Sequence, residues 1–209
     1  MTIHTFGDSH SINGWWGDET FDNFNKDMKI HWIGAILCYS FGNNNKKLEN
    51  ELLKLKKELK DEDSIVFCFG EIDCRCHIVK YVINNNYGDI IDNIVRNYIN
   101  RIKQYIKDCN IKFKNICIYN VVPPIRKEES SKPDIAYPYL GTNVQRRDYA
   151  LYFNKILRKE CENNNYIFVD IYDKYSDSEG YLDWKSSDGH VHLKRDLPYL
   201  QEFINKNLM

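Results

Sequence analysis

The sequence predicts an α/β protein, a three-layer α/β/α sandwich built on a five-stranded parallel sheet of the flavodoxin-like type. Three observations predict this fold. Short apolar runs alternate along the chain with longer segments of helical periodicity. The central runs are apolar throughout, as in strands that are buried on both faces. Helical segments separate the runs, and parallel strands need such crossover connections.

Five segments have the character of strands. In chain order they are residues 2–6, 29–34, 64–70, 115–122 and 166–172. The third, SIVFCFG, is a continuous apolar run that ends in glycine, which predicts a central strand. The fourth, NICIYNVV, is also predicted to be buried. It stops at Pro123 and Pro124, because proline has no N–H to donate to a strand ladder.

Helices are predicted between and after these strands. They span residues 46–60, 89–109, 143–161 and a last segment from about residue 196. The first carries leucines at helical spacing and is too short for a coiled coil. The second has the strongest apolar stripe in the chain, and Asp89 is its expected N-cap. In the last helix, Pro198 falls in the first turn, where proline is tolerated.

Length and charge restrict the class of protein. The 209 residues suit one domain, 1–209, with a long loop at about 123–142. The net charge of -1 offers no basic surface for nucleic acid or an anionic membrane. No apolar run reaches the ~18 residues of a transmembrane helix, and no signal peptide is recognisable before the first strand. These features predict a cytoplasmic protein.

Cysteine usage predicts buried free thiols in a reducing compartment. The count of seven is odd, and four cysteines lie inside apolar patterns. These four are Cys68, Cys109, Cys117 and Cys161. The cluster Cys74, Cys76 and His77 suggests zinc, but it lacks the second ligand pair that tetrahedral zinc sites use. No metal and no other cofactor is therefore expected.

Residues of the types used in catalysis follow the predicted strands. Ser9, in FGDSHS, follows the first strand, and serine is a weak nucleophile unless a base takes its proton. His10 is adjacent, but neighbours on an extended backbone point to opposite sides. In SSDGHVHLK, Asp188 precedes His190 and His192, and a carboxylate beside an imidazole fixes its tautomer and stabilises the imidazolium. Taken alone, Ser9 also suits a plain helix N-cap.

Four blocks together resemble the SGNH/GDSL hydrolase family of esterases and acyltransferases. They are GDS near the N-terminus, a glycine after the second strand, Gly-x-x-Asp after the third, and an Asp/His pair near the C-terminus. The resemblance implies that Ser9 is the nucleophile, His192 the base and Asp188 its partner. It also implies that backbone N–H groups of Ser9 and Gly34 hold the oxyanion, with Gly42 the alternative to Gly34.

Two positions depart from the family's pattern. The family's third block ends in an asparagine that donates to the oxyanion, whereas this chain has Asp73, and an ionised carboxylate only accepts. Arg75, on the same face of a segment expected to be extended, is the candidate replacement, with Asp73 positioning it. FGEIDCR resembles a variant third block of the family. The family's acid commonly lies three residues before the base, so the spacing from Asp188 leaves both His190 and His192 open.

The resemblance implies a serine esterase, or a related acyltransferase, that acts on a small O-acyl group such as acetyl in a carbohydrate or related ester. The alternative is a non-catalytic domain that binds a glycan or protein partner at the same rim, which Asp73 favours. A nucleotide-binding module is disfavoured, because FGDSHS lacks a Gly-rich phosphate loop. Oligomeric state and the choice between hydrolysis and transfer stay open.

Two further features bear on the substrate. Trp15 and Trp16 follow the Ser9 turn and either stack on a sugar or acyl group or pack in the core, with packing favoured. The loop 123–142 leaves a strand end without helical or strand periodicity, which predicts a flap on the substrate side or a disordered segment. As a flap it offers Arg126, Tyr137 and Tyr139 as contacts.

Overall fold

The computed structural model describes residues 1–12, 28–43, 45–82, 86–130, 135–194 and 198–208. Its strands are β1 (Ile3–Gly7), β2 (Met28–Trp32), β3 (Ser64–Cys68), β4 (Asn115–Tyr119) and β5 (Ile167–Val169). All neighbouring strands pair in parallel, in the order β2-β1-β3-β4-β5. This is the flavodoxin-like order, and the predicted sheet is confirmed.

The α-helices of the described residues are α1 (Cys38–Gly42), α2 (Lys46–Lys56), α3 (Tyr87–Cys109), α4 (Asn143–Asn164), α5 (Tyr172–Tyr175) and α6 (Pro198–Asn207). The helices α1 and α5 are absent from the sequence prediction. They have five and four residues, too few to display a helical repeat in the sequence. The four longer helices lie where periodicity predicts them, with ends that differ by a few residues.

The helix starts show how side chains cap the backbone. Thr142 caps α4 through a reciprocal capping box with Gln145. The prediction that Asp89 caps α3 is wrong, because α3 begins at Tyr87 and Asp89 lies in its first turn. There its carboxylate still complements the positive end of the helix dipole. The expected start of the last helix at Asp196 lies outside the described residues.

Four of the five predicted strands extend further than the real ones at their carboxyl ends, whereas β1 continues one residue past its predicted end. β4 ends at Tyr119, but the following Val121 and Val122 remain buried in the apolar core. The apolar run therefore continues past the last ladder pair. The fifth run stops as a strand at Val169, and Tyr172 already begins α5.

Helices cover both faces of the sheet. Successive residues of β3 alternate between two apolar clusters, with Ile65 and Phe67 in one and Val66 and Cys68 in the other. Since strand side chains alternate between faces, the clusters lie on opposite sides of the sheet. Residues of α1 to α4 join the first cluster, and residues of α6 join the second. The arrangement is the predicted three-layer sandwich.

All seven cysteines are buried with free thiols, as expected.

None of the helices in the described ranges combines the length and the apolar character that a membrane crossing needs.

Gly7, the last residue of β1, permits an unusually close approach of two strands just before the Ser9 turn. A Cβ atom at this position would lie 2.1 Å from the carbonyl oxygen of Cys68 in β3. The Asp8 N–H donates to that same oxygen at 3.2 Å. The direction in which the chain leaves β1 therefore depends on a residue without a side chain.

Candidate active site

Three residues of the candidate site follow the carboxyl ends of three adjacent strands. The sheet register sets Gly7 of β1 level with Trp32 of β2 and with Cys68 of β3. The residues two positions further along are Ser9, Gly34 and Gly70. In open parallel sheets this carboxyl edge is where ligands bind.

Ser9, His192 and Asp188 form one continuous chain of hydrogen bonds. His192 Nε2 lies 2.9 Å from Ser9 Oγ, and His192 Nδ1 lies 3.1 Å from Asp188 Oδ2. A carboxylate accepts the Nδ1–H, which leaves Nε2 as the acceptor for the serine hydroxyl. This is the tautomer that a serine nucleophile requires of its base.

The loop from Asp188 to His192 closes on itself and so accommodates the four-residue spacing. The Asp188 N–H donates to the His192 carbonyl at 3.0 Å, and Gly189 takes a left-handed φ of +85°. Asp188 Oδ1 accepts the backbone N–H groups of His190 and His192 at 2.8 and 3.3 Å. His190 packs its ring against His192, with centroids 5.8 Å apart. The structure thus places His192, rather than His190, at Ser9.

The environment of Asp188 favours its ionised form. Partial burial raises the pKa of this carboxyl, whereas the hydrogen bond and charge of His192 and two backbone N–H groups lower it. The net pKa lies below the ordinary value for aspartate. Asp188 is therefore a carboxylate at neutral pH, able to stabilise a positive charge on His192.

Gly34 adopts a backbone conformation that favours glycine. Its φ is +87° at the turn that follows β2. The turn is held on one side by the Ile33 N–H, which donates to the Gly7 carbonyl at 3.0 Å. On the other side the Tyr137 hydroxyl donates to the Ala35 carbonyl at 3.1 Å. The Gly34 turn is therefore tied both to β1 and to the loop 123–142.

Asp73 caps a helix that the sequence prediction missed. Its buried carboxylate accepts the backbone N–H of Cys38 at 2.6 Å and that of Tyr39 at 3.1 Å. Leu37, the residue before α1, offers no side-chain cap, so Asp73 satisfies these first N–H groups from a distant segment. Burial raises the pKa of Asp73 to about 7, and these hydrogen bonds only partly offset that effect.

The segment carrying Arg75 is helical, which corrects the expectation of an extended one. Gly70, at a φ of +123°, turns the chain from β3 directly into a helical segment that includes the π-helical turn Asp73–His77. Glu71 and Arg75 thereby become neighbours, and Arg75 Nε donates to Glu71 Oε1 at 2.8 Å. A terminal guanidinium nitrogen donates to the Tyr137 carbonyl. Asp73 binds α1 instead of positioning Arg75, whose role as an oxyanion donor stays a prediction.

The three loop residues singled out from the sequence have different surroundings. Arg126 pairs with Asp177 at 2.7 Å and with Glu179 at 2.8 Å. Tyr139 is buried in the core and donates its hydroxyl to Ser130 at 3.0 Å. Tyr137 reaches the residue after Gly34 and so lies at the predicted rim. The tryptophans at positions 15 and 16 lie outside the described residues.

His10 makes contacts that the sequence does not reveal. Its ring is buried, with Nδ1 3.1 Å from Asp8 Oδ1 and Nε2 3.3 Å from the Val191 carbonyl. The ring centroid lies 5.2 Å from that of His192, at an interplanar angle of 48°. The only sequence signal is a histidine next to the serine, because Val191 is 181 residues away along the chain.

Within the described residues, no group of three or more His, Cys, Asp or Glu side chains is arranged to hold a metal ion. Cys74 and Cys76 are buried, and burial raises the pKa of the Cys76 thiol to about 11. The His77 ring contacts the rings of Tyr39 and Tyr81 at tilted angles, with centroids 4.7 and 4.9 Å away.

The fold and the site geometry define a class of protein, the α/β/α sandwiches with a hydrogen-bonded Ser–His–Asp chain at the carboxyl edge of a parallel sheet. The family model for GDSL-like lipases and acylhydrolases matches residues 3–196. The chain belongs to this family of GDSL-like lipases and acylhydrolases.

Solved structures with the same fold span the whole chain. A Streptococcus pneumonia protein named for platelet activating factor is 20% identical, with a TM-score of 0.62 over 100% of this chain and 84% of that one. The M. smegmatis aryl esterase is 10% identical, with a TM-score of 0.60 over 99% and 97%. A carbohydrate acetylesterase from Sinorhizobium meliloti is 10% identical, with a TM-score of 0.57 over 98% and 97%.

At these identities the likeness to solved structures concerns the fold. A search among curated protein sequences found no match.

Proposed function

We propose that this protein is a serine esterase that removes a small O-acyl group, such as acetyl, from a carbohydrate or related ester. The observation that carries the proposal is the hydrogen-bonded chain from Ser9 through His192 to Asp188. Membership of the GDSL-like lipases and acylhydrolases supports ester hydrolysis. The family match over residues 3–196 also supports a single domain.

In this proposal the first half-reaction forms an acyl-enzyme. Ser9 Oγ attacks the ester carbonyl while His192 Nε2 takes the hydroxyl proton, and Asp188 stabilises the resulting imidazolium. The backbone N–H groups of Ser9 and Gly34 donate to the oxyanion of the tetrahedral intermediate. When the carbonyl re-forms, the ester C–O bond breaks and the leaving alkoxide takes the proton from His192.

The second half-reaction releases the acyl group. Neutral His192 takes a proton from water, and the hydroxide oxygen attacks the acyl carbon. Collapse of this second intermediate returns the proton from His192 to Ser9 Oγ and frees the carboxylic acid. A sugar hydroxyl in place of water would receive the acyl group, which is the acyltransferase variant of the same chemistry.

A groove beside α1, whose lining does not include Ser9, His192 or Gly34, has the chemical character of a carbohydrate-binding surface. It has a volume of about 290 Å³ and combines aromatic rings with polar side chains of α3. Its aromatic lining is Tyr39, His77 and Tyr81, and its polar lining is Asp89 and Asn93. Aromatic faces combined with carboxylate and amide groups suit the apolar and hydroxyl-bearing sides of a sugar ring. The carbohydrate acetylesterase with the same fold is consistent with such a substrate.

Labelling with a fluorophosphonate tests the proposed nucleophile. We expect stoichiometric labelling of the native protein and hydrolysis of p-nitrophenyl acetate, both lost in Ser9→Ala. The matched control is Ser40→Ala, because Ser40 lies on α1 and is also partly exposed. A folded native protein that neither labels nor hydrolyses the ester would overturn the proposal.

The same labelling decides the alternative function, a domain that binds a glycan or a protein partner without catalysis. That alternative rested on Asp73 in place of the family's asparagine. The contacts of Asp73 with Cys38 and Tyr39 give it a capping role that is compatible with catalysis. Folded protein that binds acetylated oligosaccharides without labelling would favour the binding domain.

A further inference from the structure

The buried ring of His10 faces hydrogen-bond acceptors at both nitrogens. The Val191 carbonyl next to Nε2 can only accept, so Nε2 carries a hydrogen. Asp8 Oδ1, 3.1 Å from Nδ1, already accepts the backbone N–H of His10 at 2.9 Å, so this oxygen acts as an acceptor. A second hydrogen therefore lies on Nδ1. With hydrogens on both nitrogens, the ring is a buried imidazolium.

The groups around His10 favour this positive charge. Burial by itself lowers the pKa of His10, but the charge and hydrogen bond of Asp8, the charge of Glu71 and the Val191 carbonyl together raise it above the ordinary value. The facing groups come from three parts of the chain: Asp8 directly after β1, Glu71 in the helical segment after β3, and His192 in the C-terminal loop.

We propose that His10 is a positioning residue for the esterase site. Its imidazolium forms one hydrogen bond to Asp8, the residue before Ser9, and another to the Val191 carbonyl. These two hydrogen bonds hold the loop 188–192 in the position where His192 Nε2 reaches Ser9 Oγ. Val191 directly precedes His192, so this contact fixes the backbone of the loop from inside the protein. The role presupposes the proposed esterase function and adds a residue that never touches the substrate.

A pH dependence of the rate follows. Because the pKa of folded His10 is raised, the contribution of the imidazolium is complete below the ordinary pKa of histidine and is lost as pH rises through the folded value. When His10 loses this proton, one of its two hydrogen bonds, to Asp8 or to Val191, is lost and the loop 188–192 is held less firmly. The rate therefore falls at alkaline pH through His10.

Two near-isosteric variants, His10→Gln and His10→Asn, distinguish the hydrogen bond to Val191 from the one to Asp8. The amide N–H of Gln lies near the position of Nε2 and can still donate to Val191, whereas that of Asn lies near Nδ1 and can donate only to Asp8. We expect His10→Asn to lower kcat by about 10–100-fold with little change in KM, since a small misplacement of a catalytic group has effects of this size. His10→Gln should lose less and should lack the alkaline decline. His31→Asn and His31→Gln, on the edge strand β2, are the matched controls.

Nitrogen NMR of the His10 ring gives a readout that needs no activity. In Ser9→Ala protein we expect both ring nitrogens of His10 to be mainly protonated at pH 6.5, the ordinary pKa of histidine, because the pKa of His10 is raised above that value. The amide signals of residues 188–192 should shift together with the His10 titration. A His10 ring that is mainly neutral at pH 6.5 would overturn the proposal, as would His10→Asn with native kcat and pH profile. If His10→Asn fails to fold, the NMR titration still decides. An inactive native protein would refute the esterase function, whereas an active one with a neutral His10 would refute only the positioning role.

Discussion

His192 Nε2 and Ser9 Oγ are hydrogen-bonded at 2.9 Å, although 183 residues separate them in the chain. One group follows the first strand, and the other comes from the loop that follows the last. They meet because the strands are parallel and all their carboxyl ends lie at one edge of the sheet. The consequences of this arrangement can be tested at single positions.

Replacing Asp188 by Asn tests whether Asp188 orients His192, the proposed base. An amide at this position can present an N–H to His192 Nδ1 and so favours the wrong tautomer, while the ring stays in place. We expect kcat for p-nitrophenyl acetate to fall by about 10³–10⁴ with the fold intact. Asp183→Asn, which changes only a capping contact to the Lys185 N–H, serves as control. Native kcat in Asp188→Asn would refute the assignment.

Replacing Gly34 by Ala tests its proposed role as an oxyanion donor. The φ of +87° strains any residue with a Cβ, at a cost of about 1–3 kcal/mol in stability. Relief of this strain moves the Gly34 N–H, so we expect kcat to fall by about 10². Gly180→Ala, at a φ of +84° remote from Ser9 in the sequence, should lose similar stability and keep its kcat. Equal kcat in the two variants would remove Gly34 from the oxyanion site.

Asp73→Asn separates a capping role from a catalytic one. An asparagine has one amide oxygen for two backbone N–H groups, and its NH₂ would face one of them. We expect the free energy of unfolding to fall by about 1–3 kcal/mol and kcat not to rise. Asp61→Asn is the control, since Asp61 accepts a single backbone N–H at the surface. A gain in kcat with unchanged stability would show that position 73 still supports an oxyanion donor.

The raised pKa of Asp73 predicts how stability changes with pH. Burial lifts this pKa from 3.8 to about 7, so between these values the folded state binds more protons than the unfolded state. The contribution of Asp73 to stability therefore falls as pH rises from about 4 to about 7, by at most about 1.4 kcal/mol per pH unit. Urea unfolding at stepped pH measures the slope. Asp73→Asn should remove this component, and identical slopes would contradict the assignment.

Gly7→Ala tests the close contact between β1 and β3. The added Cβ would lie 2.1 Å from the Cys68 carbonyl oxygen, which belongs to the backbone and cannot rotate away. We expect a loss above about 3 kcal/mol or failure to fold, measured by chemical unfolding. In the control, Gly88→Ala, the new Cβ meets Tyr152 at an ordinary 3.4 Å and should stabilise α3 by up to about 1 kcal/mol. A stable Gly7→Ala protein would contradict the register.

Sequence periodicity predicted the elements that are long enough to carry it. In three elements the pattern of neighbouring residues is enough to indicate which side chains are buried. These are the leucines of α2, the apolar stripe of α3 and the continuous apolar run of β3. Their alternation predicted the parallel sheet, because parallel strands need crossover helices. The same reasoning missed α1, whose five residues are too few for a repeat, and with it the group that Asp73 caps.

The sequence by itself determined the sheet, the position of Ser9 at its carboxyl edge and the family, since these follow from local patterns and motif order. Only the tertiary structure decided which histidine meets Ser9, what Asp73 binds and where His10 points. Each of these depends on contacts between segments far apart in the chain, such as that of His10 with Val191. Such contacts are set by sheet register and by the closure of the loop 188–192, which no local pattern encodes.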